Sequence, residues 1–145
     1  MYNALDITNV ENLVRRFEQA TIAREDWRHA EHLLVGLYYV ASLGEAAALA
    51  KMRTGILNLL ANGFRIDLEK EMPFHETMTY FWINAISRFV AEREGVPFEK
   101  VAEEMLGSLD KDLPLRFYSR EVLSSDLARA SYVPPDLAPG AIDPN

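Results

Sequence analysis

The chain has 145 residues, 49% of them apolar, a net charge of −7 and no cysteine. That length fits one domain with a sizeable core, and the acidity argues against a nucleic-acid partner or an anionic membrane surface, both of which call for a basic patch. Without cysteine there is no disulfide, no thiolate metal site and no cysteine nucleophile.

The N-terminal stretch Met1 to Asn12 is polar and carries acids, unlike a signal peptide. The longest apolar run, Leu33 to Leu43, is about half of what a membrane span needs. The expectation is a cytoplasmic protein with no membrane partner.

Thr8 and Glu11 form the capping-box pattern Thr-x-x-Glu, and Val10, Leu13, Val14 and Phe17 follow at helical spacing. A first helix is predicted from Asn9 to Thr21. A second is predicted from an Asp26 N-cap to Gly44, a good residue to end a helix. Its run Leu33 to Val40 is apolar on every face, which marks a central helix covered on several sides. Gly36 inside that run costs about 1 kcal/mol relative to alanine, so a close crossing, by the fourth helix, is expected there.

The third helix is predicted from Glu45 to Asn62, with Leu49, Met52, Ile56 and Leu60 as its stripe and Gly63 as its stop. The short link at Gly44 makes helices two and three an antiparallel pair. The fourth helix carries Pro73 in its first turn and ends at Gly95; Met78, Phe81, Trp82, Ala85, Ile86 and Phe89 form its apolar face. Pro97 opens a fifth, with Phe98, Val101 and Met105 inward and Gly107 as its stop. Leu113 to Ser119 reads as irregular or a single turn, Ser125 to Ser131 as a short capped helix, and 133–145 as an extended proline-rich tail. The fold class is therefore all-α: one domain, a compact bundle of about five helices with a docked irregular C-terminal segment. Helices two and four are expected at its centre.

The chemistry concentrates on three histidines. His29 and His32, three apart, share a helix face, and His75 is in register with the inward residues Met78, Thr79 and Trp82. All three lie near helix starts, where the positive end of the dipole favours neutral imidazole, the form that binds metal or acts as a base. Free N–H groups at helix starts also suit an anionic ligand. If the helix starts meet, His29, His32 and His75 are candidate ligands for a divalent transition metal such as zinc, iron or nickel. Glu76 is then a candidate general base or partner of the metal ligands, and Thr79 is placed to hydrogen-bond the His75 ring. Arg116, Tyr118 and Ser119 form a candidate clamp for a carboxylate or phosphate. Against this stands pairing of Arg116 and Arg120 with Glu103, Asp110 or Asp112, pinning the tail to the bundle. Buried histidines also often serve only to satisfy hydrogen bonds.

Four segments carry a resemblance: Trp27-Arg28-His29-Ala30-Glu31-His32-Leu33, Phe74-His75-Glu76-Thr77, Leu115-Arg116-Phe117-Tyr118-Ser119-Arg120-Glu121 and Tyr132-Val133-Pro134-Pro135-Asp136-Leu137. They are similar to a family of small bacterial helical proteins marked by Trp-x-His-x-x-His-Leu, Tyr-His-Glu-Thr and Arg-Tyr-Tyr-Ser-Arg, in that order. The resemblance implies that His29, His32, His75, Glu76, Thr77, Arg116, Tyr118 and Ser119 occupy the family's motif positions. It supplies no activity. Phe74 replaces a tyrosine, and Arg28 replaces a small hydroxyl residue.

Two classes of function remain. One is an enzyme acting on a small, perhaps anionic, molecule through a three-histidine site, with or without metal. The other is a non-catalytic ligand-binding or interaction module in which the histidines hold the bundle. Three rings converging within metal-bond reach mark the first, and rings bonded to separate backbone carbonyls mark the second. A homo-oligomer is compatible with either.

Overall fold

The computed structural model describes residues 4–137; the end of the expected tail, 138–145, lies outside the described residues. Five main helices follow one another: α1 (Ile7–Glu18), α2 (His29–Leu43), α3 (Glu45–Asn58), α4 (Glu76–Ala91) and α5 (Phe98–Ser108). Two short ones, α6 (Arg120–Leu123) and α7 (Asp126–Ala130), close the described chain. Among the described residues there is no strand, and no helix is long and apolar enough to cross a membrane.

The all-α expectation holds, with boundary corrections that have local causes. Helix α1 starts two residues earlier than the Thr8 capping pattern suggests, because Asp6 takes the cap and accepts from the Thr8 N–H at 2.8 Å. It ends at Glu18, where Ala20 turns into the left-handed region at φ 57°. Asp26 does not cap α2. It closes a 3₁₀ turn, Arg24–Asp26, and α2 begins only at His29, with the Glu31 carboxylate accepting from the Arg28 N–H at 3.2 Å. The non-helical backbone at Trp27 turns its ring inward, stacked between Phe17 (5.2 Å) and His32 (5.0 Å).

Helix α3 leaves α-geometry at Leu59 and unwinds through a wide π turn, Leu59–Gly63. Pro73 lies three residues ahead of α4, not in its first turn, and His75 is the N-cap. The single turn expected around Leu113 is a 3₁₀ turn, Leu113–Arg116, whereas α6 was not foreseen. Ser125 caps α7 as the sequence suggests.

Helix α2 packs against α1, α3, α4 and α5, and α4 packs against α2, α3, α5 and α7, so both are central. Leu33, Val35 and Leu37 of α2 are buried together with Phe81, Ile83 and Ile86 of α4. Gly36 faces α4 closely: a Cβ there would sit 2.9 Å from Ile86 Cδ1 and 3.4 Å from Ile83 Cδ1. A second contact of this kind joins α1 to α3, where a Cβ on Gly55 would fall 2.2 Å from the Phe17 ring. Between α2 and α3, Gly44 takes a φ of 87°, which suits glycine.

The two contacts differ in what they can yield. Ile86 Cδ1 is the far end of a flexible chain, whereas the Phe17 ring is rigid and held by Trp27. Gly36→Ala should therefore fall within about 1 kcal/mol of wild type, its helix-propensity gain offsetting a small shift. Gly36→Leu should cost more than about 2 kcal/mol, and Gly55→Ala about 1–2 kcal/mol despite the same propensity gain. Urea melts of the three variants check the order.

Candidate functional site

The three histidines do not form a metal-holding group. His29, the first residue of α2, donates from Nε2 to the Leu109 carbonyl oxygen (2.8 Å) and meets the edge of Trp82 at 4.9 Å. His75 has both ring nitrogens engaged. Its Nδ1 accepts from the Met78 N–H at 3.1 Å, capping α4, and its Nε2 donates to the Leu123 carbonyl oxygen at 2.6 Å. Only the neutral Nε2–H tautomer can make both bonds. Burial, and then the nearby Arg129 charge, push the His75 pKa down, which agrees with that form. Two rings thus serve two separate backbone carbonyls.

Among the described residues, no group of three or more His, Asp or Glu side chains is placed to hold a metal ion. The expected metal set His29, His32 and His75 is therefore not assembled. A helix start fixes where a histidine begins, but the ring's direction depends on which orphan carbonyl lies within reach.

His32 is the exception. Its Nε2 is closed to water and has no hydrogen-bond partner, although the residue as a whole is half-buried. Burial, reinforced by repulsion from His29, pushes its pKa down to about 4, so the ring is neutral at pH 7. It lines a cavity of about 260 Å³ together with His75. Trp27 and His32 form one wall, Ile56 and Leu60 of the α3 end another, and Pro73, Phe74, Met78, Thr79 and Trp82 the rest. No Asp, Glu, Lys or Arg is among these lining residues.

The other candidate residues have definite partners. Glu76 is gripped by the Arg53 guanidinium through two bonds of 2.8 and 2.5 Å, so it is not a free base beside His75. Thr79 donates to the His75 backbone oxygen (2.9 Å) and not to the ring, because four residues on in a helix places its hydroxyl over that carbonyl. Tyr118 is fully buried and donates to the Val133 carbonyl oxygen at 2.6 Å. The Ser119 hydroxyl caps α6 by accepting from the Val122 N–H, and the Ser119 N–H donates to Asp136 Oδ1 at 2.9 Å. Tyr118 and Ser119 therefore hold the chain's own C-terminal segment and are not open to a ligand. Arg116 is exposed, and among the described residues neither it nor Arg120 forms an ion pair with Glu103, Asp110 or Asp112.

Thr77 was named only as a motif position, yet it is fully buried and central to this strap. Its hydroxyl donates to the Ser131 carbonyl oxygen (3.0 Å) and accepts from the Val133 N–H (3.1 Å). Thr77 and Tyr118 thus pin the strap against the start of α4, and His75 ties it at Leu123. Trp27 and Trp82 were assigned to the core or to a motif, and the sequence holds no sign that both border a cavity. The helical register of Trp82 indicates only that it faces inward, and Trp27 lies on non-helical backbone ahead of α2.

No family model matches the chain, and no curated protein or solved structure matches it.

Two outcomes follow from this geometry. Because His32 is neutral when folded and binds a proton when unfolded, stability is complete above about pH 6.5 and falls as pH drops towards about 4. The lowered His75 pKa acts in the same direction. His32→Leu should retain its stability at pH 7 and shrink the loss between those pH values by up to about 3 kcal/mol, read from urea melts at a series of pH. An unchanged pH slope would show that Nε2 is solvated after all. Thr77→Val leaves the Ser131 carbonyl and the Val133 N–H without their partner and should cost about 1–3 kcal/mol. Hydrogen exchange at the Val133 amide should accelerate with it.

Proposed function

We propose that this protein is a non-catalytic small-molecule-binding module whose ligand occupies the cavity between Trp27, His32, Phe74, His75 and Trp82. One observation carries the reading: a cavity walled by Trp27, Phe74, Trp82 and the His32 and His75 rings has no Asp, Glu, Lys or Arg among its lining residues. The cavity, at about 260 Å³, lies just below the range for drug-sized ligands, so the molecule is compact.

The motif residues fit the same reading. Trp27, His32, Phe74 and His75 come from the two N-terminal motifs and line the cavity. Thr77, Tyr118, Ser119 and Asp136 hold the strap through bonds that tie the remaining motifs together. Under this reading the motifs mark one pocket and the device that closes the bundle around it. An enzymatic reading through Glu76 finds less support, since its carboxylate is committed to Arg53.

The chain has two tryptophans, and both line the cavity. Their emission therefore reports occupancy directly. Titration with toluene, cyclohexanol, phenol and benzoate should give a saturable change in tryptophan fluorescence with at least one compound. The same compound should raise the unfolding midpoint in proportion to its binding. No saturable change with any of the four would overturn the reading.

A further inference from the structure

We infer that the segment 67–74 is the lid of this cavity, lifting about Ile66 and His75 to admit the ligand and closing over it; this rests on the cavity reading above.

Most of the wall is held in place. Ile56 lies in α3 and Leu60 in the π turn that ends it, and both are buried. Met78, Thr79 and Trp82 belong to α4. Trp27 is stacked between Phe17 and His32, and His75 has both ring nitrogens bonded. That leaves Pro73 and Phe74, which come from the non-helical stretch between the π turn and α4. Pro73 is exposed although it lines the cavity, which puts it at the mouth.

The bonding of this stretch sets it apart. The Asp67 carbonyl oxygen accepts from the Lys70 and Glu71 N–H groups, both at 3.0 Å, and Asp67 Oδ1 accepts from the Glu69 N–H at 3.0 Å. Among the described residues, nothing in 67–74 makes a hydrogen bond or an ion pair with another part of the chain. Apolar contact of Leu68 and Phe74 with the core holds it down. Its two ends, by contrast, are fixed. Ile66 is buried and its N–H donates to the Leu60 carbonyl oxygen at 3.0 Å, and His75 caps α4. The C-terminal strap differs in kind, since Thr77, Tyr118 and His75 all bond to it.

Lifting 67–74 therefore breaks no hydrogen bond to the bundle, and the turn at Asp67 can travel with it. The cost is the apolar contact of two side chains, which places the segment at the low-stability end from which lids are drawn. Closure restores that contact and adds the contact of Pro73 and Phe74 with a bound molecule, so a ligand favours the closed state. Glu69, Lys70 and Glu71 are exposed and charged, which keeps the tip in water in either position.

Endoproteinase Glu-C, which cuts after glutamate, reads the lid at Glu69 and Glu71. Tryptophan titration first identifies which of toluene, cyclohexanol, phenol and benzoate binds, and its Kd. In native buffer a cut should appear at Glu69 or Glu71, and the bound compound at about ten times its Kd should slow that cut about tenfold. Leu68→Ala, which weakens the hold on the core, should speed the cut about fivefold without ligand. Thr77→Val, which loosens the strap, should leave it unchanged. Resistance of both bonds in native buffer would overturn the lid. Acceleration by Thr77→Val would do the same, by showing that 67–74 opens only with the whole bundle. A cut that the bound compound does not slow would also overturn it, with the cavity reading left intact because the fluorescence still reports binding. No fluorescence change with any of the four compounds would remove the cavity reading, and this inference with it.

Discussion

The crossing of α2 and α4 at Gly36 is the constraint on which the rest of the structure depends. Without a side chain at that position, Ile83 and Ile86 reach the α2 backbone, and the two central helices come together at one fixed point. Once they do, the start of α4 lies beside the start of α2. Trp82 then contacts His29 and borders the same cavity as His32 and His75. A bulkier residue at 36 would push the helices apart and move every one of these side chains. Close packing of this kind transmits small displacements, because interiors are as dense as organic crystals.

The C-terminal segment is then fixed by hydrogen bonds as well as by the apolar packing of Phe117, Tyr118, Val122 and Leu123 against the core. Helices α6 and α7 have four and five residues, too short to persist alone. They are held where buried donors and acceptors of the bundle find partners in the strap backbone. Thr77 and Tyr118 meet Ser131 and Val133, and His75 meets Leu123. His75 belongs to three features at once: it caps α4, anchors α6 and lines the cavity. Protonating it would cost the cap, since a protonated Nδ1 has no lone pair for the Met78 N–H. The cavity wall and the strap are thus linked through one neutral ring.

What separates the three histidines is instructive because they look alike in the sequence. Each sits at or near a helix start, and each has an apolar neighbour on one side and a charged one on the other. His29 and His75 find carbonyl oxygens at Leu109 and Leu123, both in the irregular or short-helical region after α5. His32, one turn further into α2, is screened from such groups by Trp27 and is left unpaired. Among the described residues, His32 Nε2 and Asn84 Oδ1 are the buried side-chain atoms without a hydrogen-bond partner.

The sequence by itself determined the helices and their faces. Val10, Leu13, Val14 and Phe17, or Phe81, Trp82, Ile86 and Phe89, are buried because local periodicity dictates which side of a helix is apolar. It also determined the centrality of α2, through its uniform apolarity, and the close approach at Gly36, through the cost of a glycine in mid-helix. Tertiary structure alone decided where the polar side chains point. Whether Glu76 is free or bound to Arg53, whether Tyr118 faces a ligand or Val133, and which histidine lacks a partner all depend on groups 15 to 80 residues away in the chain. Apolar burial is non-directional and follows the average pattern of a segment. A hydrogen bond needs one atom at about 3 Å in one direction, and that atom comes from a distant part of the chain.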